Sequence, residues 1–290
     1  MAEKTRIFAV VNQKGGVGKT TTSINLAYEL ASLCRQDPQP DAPSDQVLII
    51  DFDSQGNCAH ALGLHPNGQN LANVLIGNGT VRDNLLKADR RDDGLPRPNL
   101  WLLPSDQQLA NIKTRLIMRE AVQNAMAMME LDKESEQVSI LEVMRSQIGP
   151  VVDRFAYVLI DCPPSHDAFM NAVYNLAQAA IVPVKVDYLS TVGAAQNIEN
   201  IRKAQMSGIN IRIHTVVPTF YVQRQVQDNM MLEALQNAYG ARIVAAPIPR
   251  SQPVAEAAAS GGGMTLREYA PDSPATLAYR QLAERIYYEQ

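Results

Sequence analysis

The sequence predicts an α/β fold, a mainly parallel twisted sheet with helices on both faces, and three observations carry that prediction. Short runs rich in Val, Ile and Leu alternate with longer segments of helical periodicity from one end of the chain to the other. Several of those runs are apolar at every position, the pattern of strands covered on both faces. A glycine loop separates the first run from the first helical segment, and acidic residues stand at the ends of the second and fourth runs.

In chain order, strands are expected over Ile7–Val11, Val47–Phe52, Leu100–Leu103, Tyr157–Asp161, Ala180–Val184, Ile211–Val217 and Ile243–Ala246. Helices are expected over Thr20–Leu33, Gln107–Ile112, Arg115–Met129, Ile140–Val152, Phe169–Gln178, Val192–Ser207, Gln227–Tyr239 and Ala275–Tyr288. The polar, proline-rich stretch Arg35–Gln46 and the charged, Gly- and Pro-bearing stretch Lys87–Pro98 read as exposed loops. Met126, Met128 and Met129 lie in a long polar helical region, Glu120–Pro150, where methionine serves either as core filler or as part of a partner surface. No internal repeat is found, and neither loop divides the chain, so residues 1–290 are expected to form one domain.

Composition limits the classes of function. A chain of 290 residues with 46% hydrophobic content can bury a large core. It has no run of about 18 apolar residues, and Met1-Ala2-Glu3-Lys4-Thr5 lacks the apolar stretch of a secretory signal, so a cytoplasmic protein is expected. Cys34, Cys58 and Cys162 have neither CxxC spacing nor a histidine cluster, which favours reduced structural thiols over a disulfide framework or a zinc site. The net charge of −4 divides into +2 over residues 201–290 and −6 over residues 1–200. That surplus permits a local cationic patch without demanding one.

The segment Asn12-Gln13-Lys14-Gly15-Gly16-Val17-Gly18-Lys19-Thr20-Thr21 reads as a phosphate cradle between strand and helix. Its glycines let backbone N–H groups close around phosphates, and the helix that follows presents its positive end. Lys19 is spaced to reach the β/γ-phosphates and Thr20 to place a hydroxyl on Mg2+. Gln13 occupies the first glycine position of the common G-x-x-x-x-G-K-[ST] pattern. A phosphate loop needs one lysine for its own nucleotide, so Lys14 is the informative addition; as a bland alternative it is a solvated loop cation.

Lys14-Gly15-Gly16-Val17-Gly18-Lys19-Thr20 resembles the deviant Walker A motif of the ParA/MinD family of P-loop ATPases. The resemblance implies ATP and Mg2+ as cofactors and a homodimer in the ATP state, with Lys14 reaching the phosphates of the partner subunit. It makes Lys14, Lys19 and Asp53 the catalytic candidates and Lys14 through Thr21 the phosphate-binding ones. The run Asp51-Phe52-Asp53-Ser54-Gln55-Gly56-Asn57 is similar to the family's D-x-D-P-Q-G-N signature, with Ser54 in place of the proline. By resemblance Asp53 orients the attacking water and Asp51 supports the metal; alone, the two acids would also read as a capping pair after a buried strand.

Tyr157-Val158-Leu159-Ile160-Asp161 has the Walker B form, an apolar strand delivering one carboxylate to Mg2+, and Cys162-Pro163-Pro164-Ser165 extends the likeness. Cys162 reads as a packing thiol. The metal candidates are therefore Thr20, Asp51 and Asp161. Further along, Pro218, Thr219 and Phe220, and then Pro247, Ile248 and Pro249, fall where relatives contact the purine base, although proline at strand ends is also ordinary turn chemistry. Arg224 and Arg250 fall where partition ATPases contact DNA, and Pro253 replaces the second arginine of the I-P-R-x-x-R pattern.

The resemblance implies a ParA- or Soj-like positioning ATPase, nucleoid-associated, that binds nonspecific double-stranded DNA in the ATP state. A ParB-like or cargo-adaptor protein would stimulate hydrolysis and release. Two other classes stay open. A MinD-like regulator would cycle on membranes through a C-terminal amphipathic helix; here Leu277, Leu282 and Ile286 fit a core-facing stripe, and Glu284 and Glu289 oppose anionic lipid. A related reductase would clamp an iron–sulfur cluster with paired cysteines, for which the spacing of Cys34, Cys58 and Cys162 is poor.

Overall fold

The computed structural model describes residues 5–38, 42–89, 96–128, 139–165, 167–187, 198–259 and 263–289. Its strands are β1 (Arg6–Val10), β2 (Val47–Asp51), β3 (Leu86–Lys87), β4 (Leu100–Leu103), β5 (Tyr157–Asp161), β6 (Ala179–Lys185) and β7 (Arg212–Thr219). They form one sheet in the order β3-β4-β2-β5-β1-β6-β7, parallel at every pairing except β3 with β4. The helices of the first half are α1 (Lys19–Gln36), α2 (Asn57–Ala61), α3 (Leu71–Leu75), α4 (Val81–Asn84), α5 (Gln108–Met128), α6 (Ile140–Gln147) and α7 (Gly149–Val152). Those of the second half are α8 (Ala168–Leu176), α9 (198–206 as described), α10 (Val226–Tyr239), α11 (Gln252–Ala259), α12 (Leu266–Tyr269) and α13 (Pro274–Tyr288).

The two-residue period of each strand sorts its side chains between two cores. Phe8, Val10, Ile49 and Leu159 pack with Leu26 and Leu30 of α1 and with Tyr279 and Leu282 of α13. Ile7, Ala9, Ile50 and Ile160 face the opposite layer, against Met144 of α6 and Phe169 and Val173 of α8. Since both faces are covered, no position of the central strands needs a polar residue until the strand ends, where Asp51 and Asp161 appear.

Several expectations are corrected. Ile243–Ala246 is not a strand: Val244 makes a single bridge with Val216 and Pro249 one with Tyr221. Pro247 and Pro249 have no N–H to give, so the ladder cannot run on. The two helices expected on either side of Thr114 are one, α5, because nothing between Ile112 and Arg115 breaks a helix. The helix expected over Ile140–Val152 divides into α6 and α7, with Pro150 in the first turn of α7. Of the helix expected over Val192–Ser207, residues 192–197 lie outside the described residues, as does Met129. Leu282 and Ile286 are core residues, but Leu277 is half exposed. Met126 is exposed rather than core-filling, along with Met118 and Val122 on the same helix.

The largest correction concerns Lys87–Pro98, expected at the surface, of which residues 90–95 lie outside the described residues. Lys87 belongs to β3, and the Arg97 side chain has no exposure at all. Its guanidinium pairs in a fork with Glu268, both N–O distances being 2.7 Å, and donates to the carbonyls of Leu62, Ala88 and Gly263. Glu268 also closes the capping box of α12 with Thr265. No helix among the described residues is long and apolar enough to cross a membrane. Removing one partner of such a buried pair strands the other charge, so Arg97→Ala is expected to destabilise the fold by about 3–5 kcal/mol. The shift of the urea midpoint at unchanged slope measures it.

Candidate functional site

The strand order places β1 between β5 and β6, so the loop after Val10 emerges at the centre of the carboxyl edge, where ligands of open α/β sheets collect. Gly18 caps α1 at φ 90°, a left-handed conformation that suits glycine. The loop is pinned on both flanks: Asn12 donates to the Pro183 carbonyl at 2.7 Å and accepts from the Lys14 N–H at 2.9 Å, while the Thr219 hydroxyl donates to the Val17 carbonyl at 2.9 Å. Gly15 and Gly16 are exposed, Val17 is buried beneath them, and Thr21 opens onto the adjoining cavity. Lys19 is buried, its ammonium donating to the Lys14 carbonyl at 3.1 Å. Burial lowers its pKa, and the Asp161 charge acts in the opposite direction.

Register does the rest. Asp161 is the pairing partner of both Val10 and Asp51, which sets the two carboxylates on neighbouring strands at one level. Asp161 accepts from Thr20 Oγ1 at 2.7 Å and Ser23 Oγ at 2.8 Å, and the Cys58 thiol lies 3.4 Å from it. Asp51 accepts the backbone N–H groups of Asp53 and Cys58 at 3.1 and 3.0 Å, which folds the chain into the turn that carries Asp53. Gly56 is required there: at φ 65°, an added Cβ would stand 2.6 Å from the Ser105 carbonyl.

Burial pushes Asp51 up to about 8, with the charge of Asp161 as the second cause. Asp161 is also raised by burial, against hydrogen bonds from Thr20, Ser23 and Cys58. Asp51, Cys58 and Asp161 bring their ligand atoms within 4.8 Å of one another. The oxygens of Asp161, Asp51 and Thr20 suit a hard cation such as Mg2+, which prefers oxygen ligands to the Cys58 sulfur beside them.

A cavity of about 860 Å3 opens beside the loop. Gly16, Gly18 and Thr21 line one side, Thr219, Phe220, Ile248 and Pro249 another. Pro218 and Pro247 do not line it; Pro218 is buried and accepts from the Ile248 N–H at 2.8 Å, shaping the wall without forming it. Phe220 sits at φ 58°, uncommon for an aromatic residue, with its ring against the Gly18 position and 5.9 Å from the Lys185 ammonium. The two arginines part company. Arg250 lines the cavity, whereas Arg224 lies outside it on the exposed turn before α10.

Lys14 is half exposed and tied to Asp187 at 3.1 Å, and Asp187 holds Lys185 at the same distance through its other oxygen. Sequence reasoning passed over Asp187, Lys185 and Ser23. Ser23 lies one turn past Thr20 on the same face of α1, so its reach toward Asp161 follows from helical periodicity. Nothing in the local sequence marks Asp187, whose meeting with Lys14 depends on β6 lying beside β1.

The AAA domain family matches residues 5–215. The chromosome partitioning protein ParA of Caulobacter vibrioides is 31% identical over 288 residues, spanning 98% of this chain and 95% of that protein. Among solved structures, cobyrinic acid a,c-diamide synthase from Mycobacterium smegmatis, with a bound ATP analogue and magnesium, is 25% identical at a TM-score of 0.73, covering 98% of this chain and 94% of its own. The septum site-determining protein MinD from Pyrococcus horikoshii, complexed with Mg-ADP, shares the fold at 22% identity and a TM-score of 0.69, covering 98% and 96%.

Folded Asp51 keeps its proton at a pH where the unfolded chain has already released it. The stability of the nucleotide-free protein is therefore expected to fall as pH rises from the ordinary carboxylate range through about 8. Scanning calorimetry between pH 5 and 8.5 reads this as a declining melting temperature, and Asp51→Asn should flatten the decline.

Proposed function

Because this chain belongs to the AAA domain family and, within it, to the ParA/MinD superfamily of partition ATPases, we propose that it is an ATP-dependent positioning switch acting as a single domain over residues 1–290. In this reading it binds ATP with Mg2+, pairs with a second copy in that state and holds nonspecific double-stranded DNA. It releases DNA after hydrolysis stimulated by a ParB-like or cargo-adaptor protein. Its place is the cytoplasm, at the nucleoid. The observation that carries the reading is the convergence of Lys19, Thr20, Asp51 and Asp161 at one level of the sheet, with Lys14 at the mouth of the same loop.

The residues divide the work. The loop N–H groups of Gly15 through Thr21 and the Lys19 ammonium hold the phosphates. Thr20 and Asp161, hydrogen-bonded to each other, would turn their oxygens to Mg2+, with Asp51 behind them. When bound, Mg2+ supplies charge neutralisation across the β- and γ-phosphates. Asp53, on the turn held by Asp51, orients the attacking water. Thr219, Phe220, Ile248 and Pro249 receive the base. Lys14 exchanges Asp187 for the partner's phosphates, so pairing breaks a half-buried ion pair.

Burial of Leu282 and Ile286 in the core commits α13 to the fold, so this helix does not supply the anchor that the membrane-cycling alternative needs. Cys34, Cys58 and Cys162 are all buried, which does not suit cluster ligation between two subunits.

Lys14→Ala is expected to keep ATP affinity within a few-fold of wild type while losing the ATP-dependent doubling of mass seen by light scattering. An unchanged dimer would remove the inter-subunit role. For DNA, Arg224→Ala is expected to weaken binding equally for all sequences and lower the log–log salt slope by about 0.9 per lost phosphate contact, doubled in a two-fold dimer. Its ATP affinity should not change, because Arg224 stands outside the cavity. Wild-type protein that ignores nonspecific duplex at low salt with ATP present would overturn the DNA-carrier reading.

A further inference from the structure

Phe52 lies between the two acids of the catalytic turn, and the peptide joining it to Asp53 is clamped at both ends. The Asp53 N–H donates to Asp51 Oδ1 at 3.1 Å. The Phe52 carbonyl stands beyond the last β2–β4 pair, Ile50 with Leu103, and receives the Lys113 ammonium at 2.8 Å instead of a strand partner. Lys113 comes from the second turn of α5 and is buried, its ammonium 4.1 Å from the centre of the Phe52 ring and 5.8 Å from that of Phe169. The turn is braced a second time from the same segment, where the Ser105 carbonyl abuts Gly56.

A cation so placed is costly. Among the described residues no carboxylate stands within 4.0 Å of Lys113, and burial lowers its pKa. A methionine of similar length would fill the space between the two rings without desolvating a charge. What the ammonium adds is a charge-assisted bond to one carbonyl, and that carbonyl belongs to the residue before Asp53.

We propose that Lys113 is a positioning residue for Asp53: it fixes the plane of the Phe52–Asp53 peptide and so the direction in which the Asp53 carboxylate leaves the turn. The proposal rests on the ATPase reading above and adds to it a residue of α5 that touches neither nucleotide nor metal. Since the phosphate loop is built by other elements, the loss of Lys113 falls on the hydrolytic step and spares ATP binding.

The test is single-turnover hydrolysis of Mg–ATP by the full chain, with ATP affinity measured in parallel, for wild type, Lys113→Met and Lys113→Arg. The methionine variant is expected to bind ATP within about threefold of wild type and to hydrolyse it about ten- to a hundredfold more slowly, the scale set by misplacing a reacting group by about 1 Å. Arginine, which can still donate to the carbonyl and stack on the rings, should recover most of the rate. A methionine variant with the wild-type rate, or one losing affinity and rate together with no recovery in arginine, overturns the proposal. Should the methionine variant fail to fold, Lys113→Gln is measured in its place: a slowed rate at preserved affinity supports the role, and any other result overturns it. A wild-type chain that turns over no ATP overturns the ATPase reading instead.

Discussion

Two carboxylates buried at one level on adjacent parallel strands, Asp51 and Asp161, set the terms for everything around them. Neither is exposed enough for water to stabilise its charge, so the protein surrounds them with donors: Thr20, Ser23 and Cys58 for Asp161, and two backbone N–H groups for Asp51. Those donors come from α1, from the turn after β2 and from the start of α2, which fixes where all three must run. The glycine loop and the turn that carries Asp53 thus share one electrostatic cause. A divalent cation beside the pair would relieve a repulsion that, with burial, otherwise raises the pKa of Asp51.

Cation placement follows the same logic at three depths. Lys19 is buried closest to the pair, Lys113 lies buried under the turn, and Lys14 stands half exposed against Asp187. The deeper two are held by neutral carbonyls and remain free of carboxylate partners within 4.0 Å among the described residues, whereas the outermost has an acidic partner it can exchange.

The fold and the placement of the glycine loop were legible because they are written locally. Apolar runs ended by Asp51 and Asp161 gave β2 and β5, and the spacing of Gly15 through Thr20 gave the loop and the start of α1. What could not be read there depends on partners distant in the chain. Arg97 looked like one more charge in a loop until Glu268, 171 residues away, enclosed it. Lys113 fits a polar helix surface by composition, and only the packing of α5 beneath β2 makes it internal. The segment Ile243–Ala246 carries a strand's residues but pairs with β7 only around Val216, because the prolines that follow end the ladder. Arg224 and Arg250 read alike as loop cations, and the cavity wall alone separates them.

The last helix has a consequence for how the protein is made. α13 covers the outer face of α1, with Tyr279 hydroxyl to Thr22 hydroxyl at 3.3 Å, and the Ile286 carbonyl receives Arg6 from the first strand. On the ribosome, the helix that follows the phosphate loop therefore waits with an apolar flank uncovered until residues 274–288 have left the exit tunnel. At about 5–20 residues per second that delay lasts many seconds, long enough for chaperones to shield the flank.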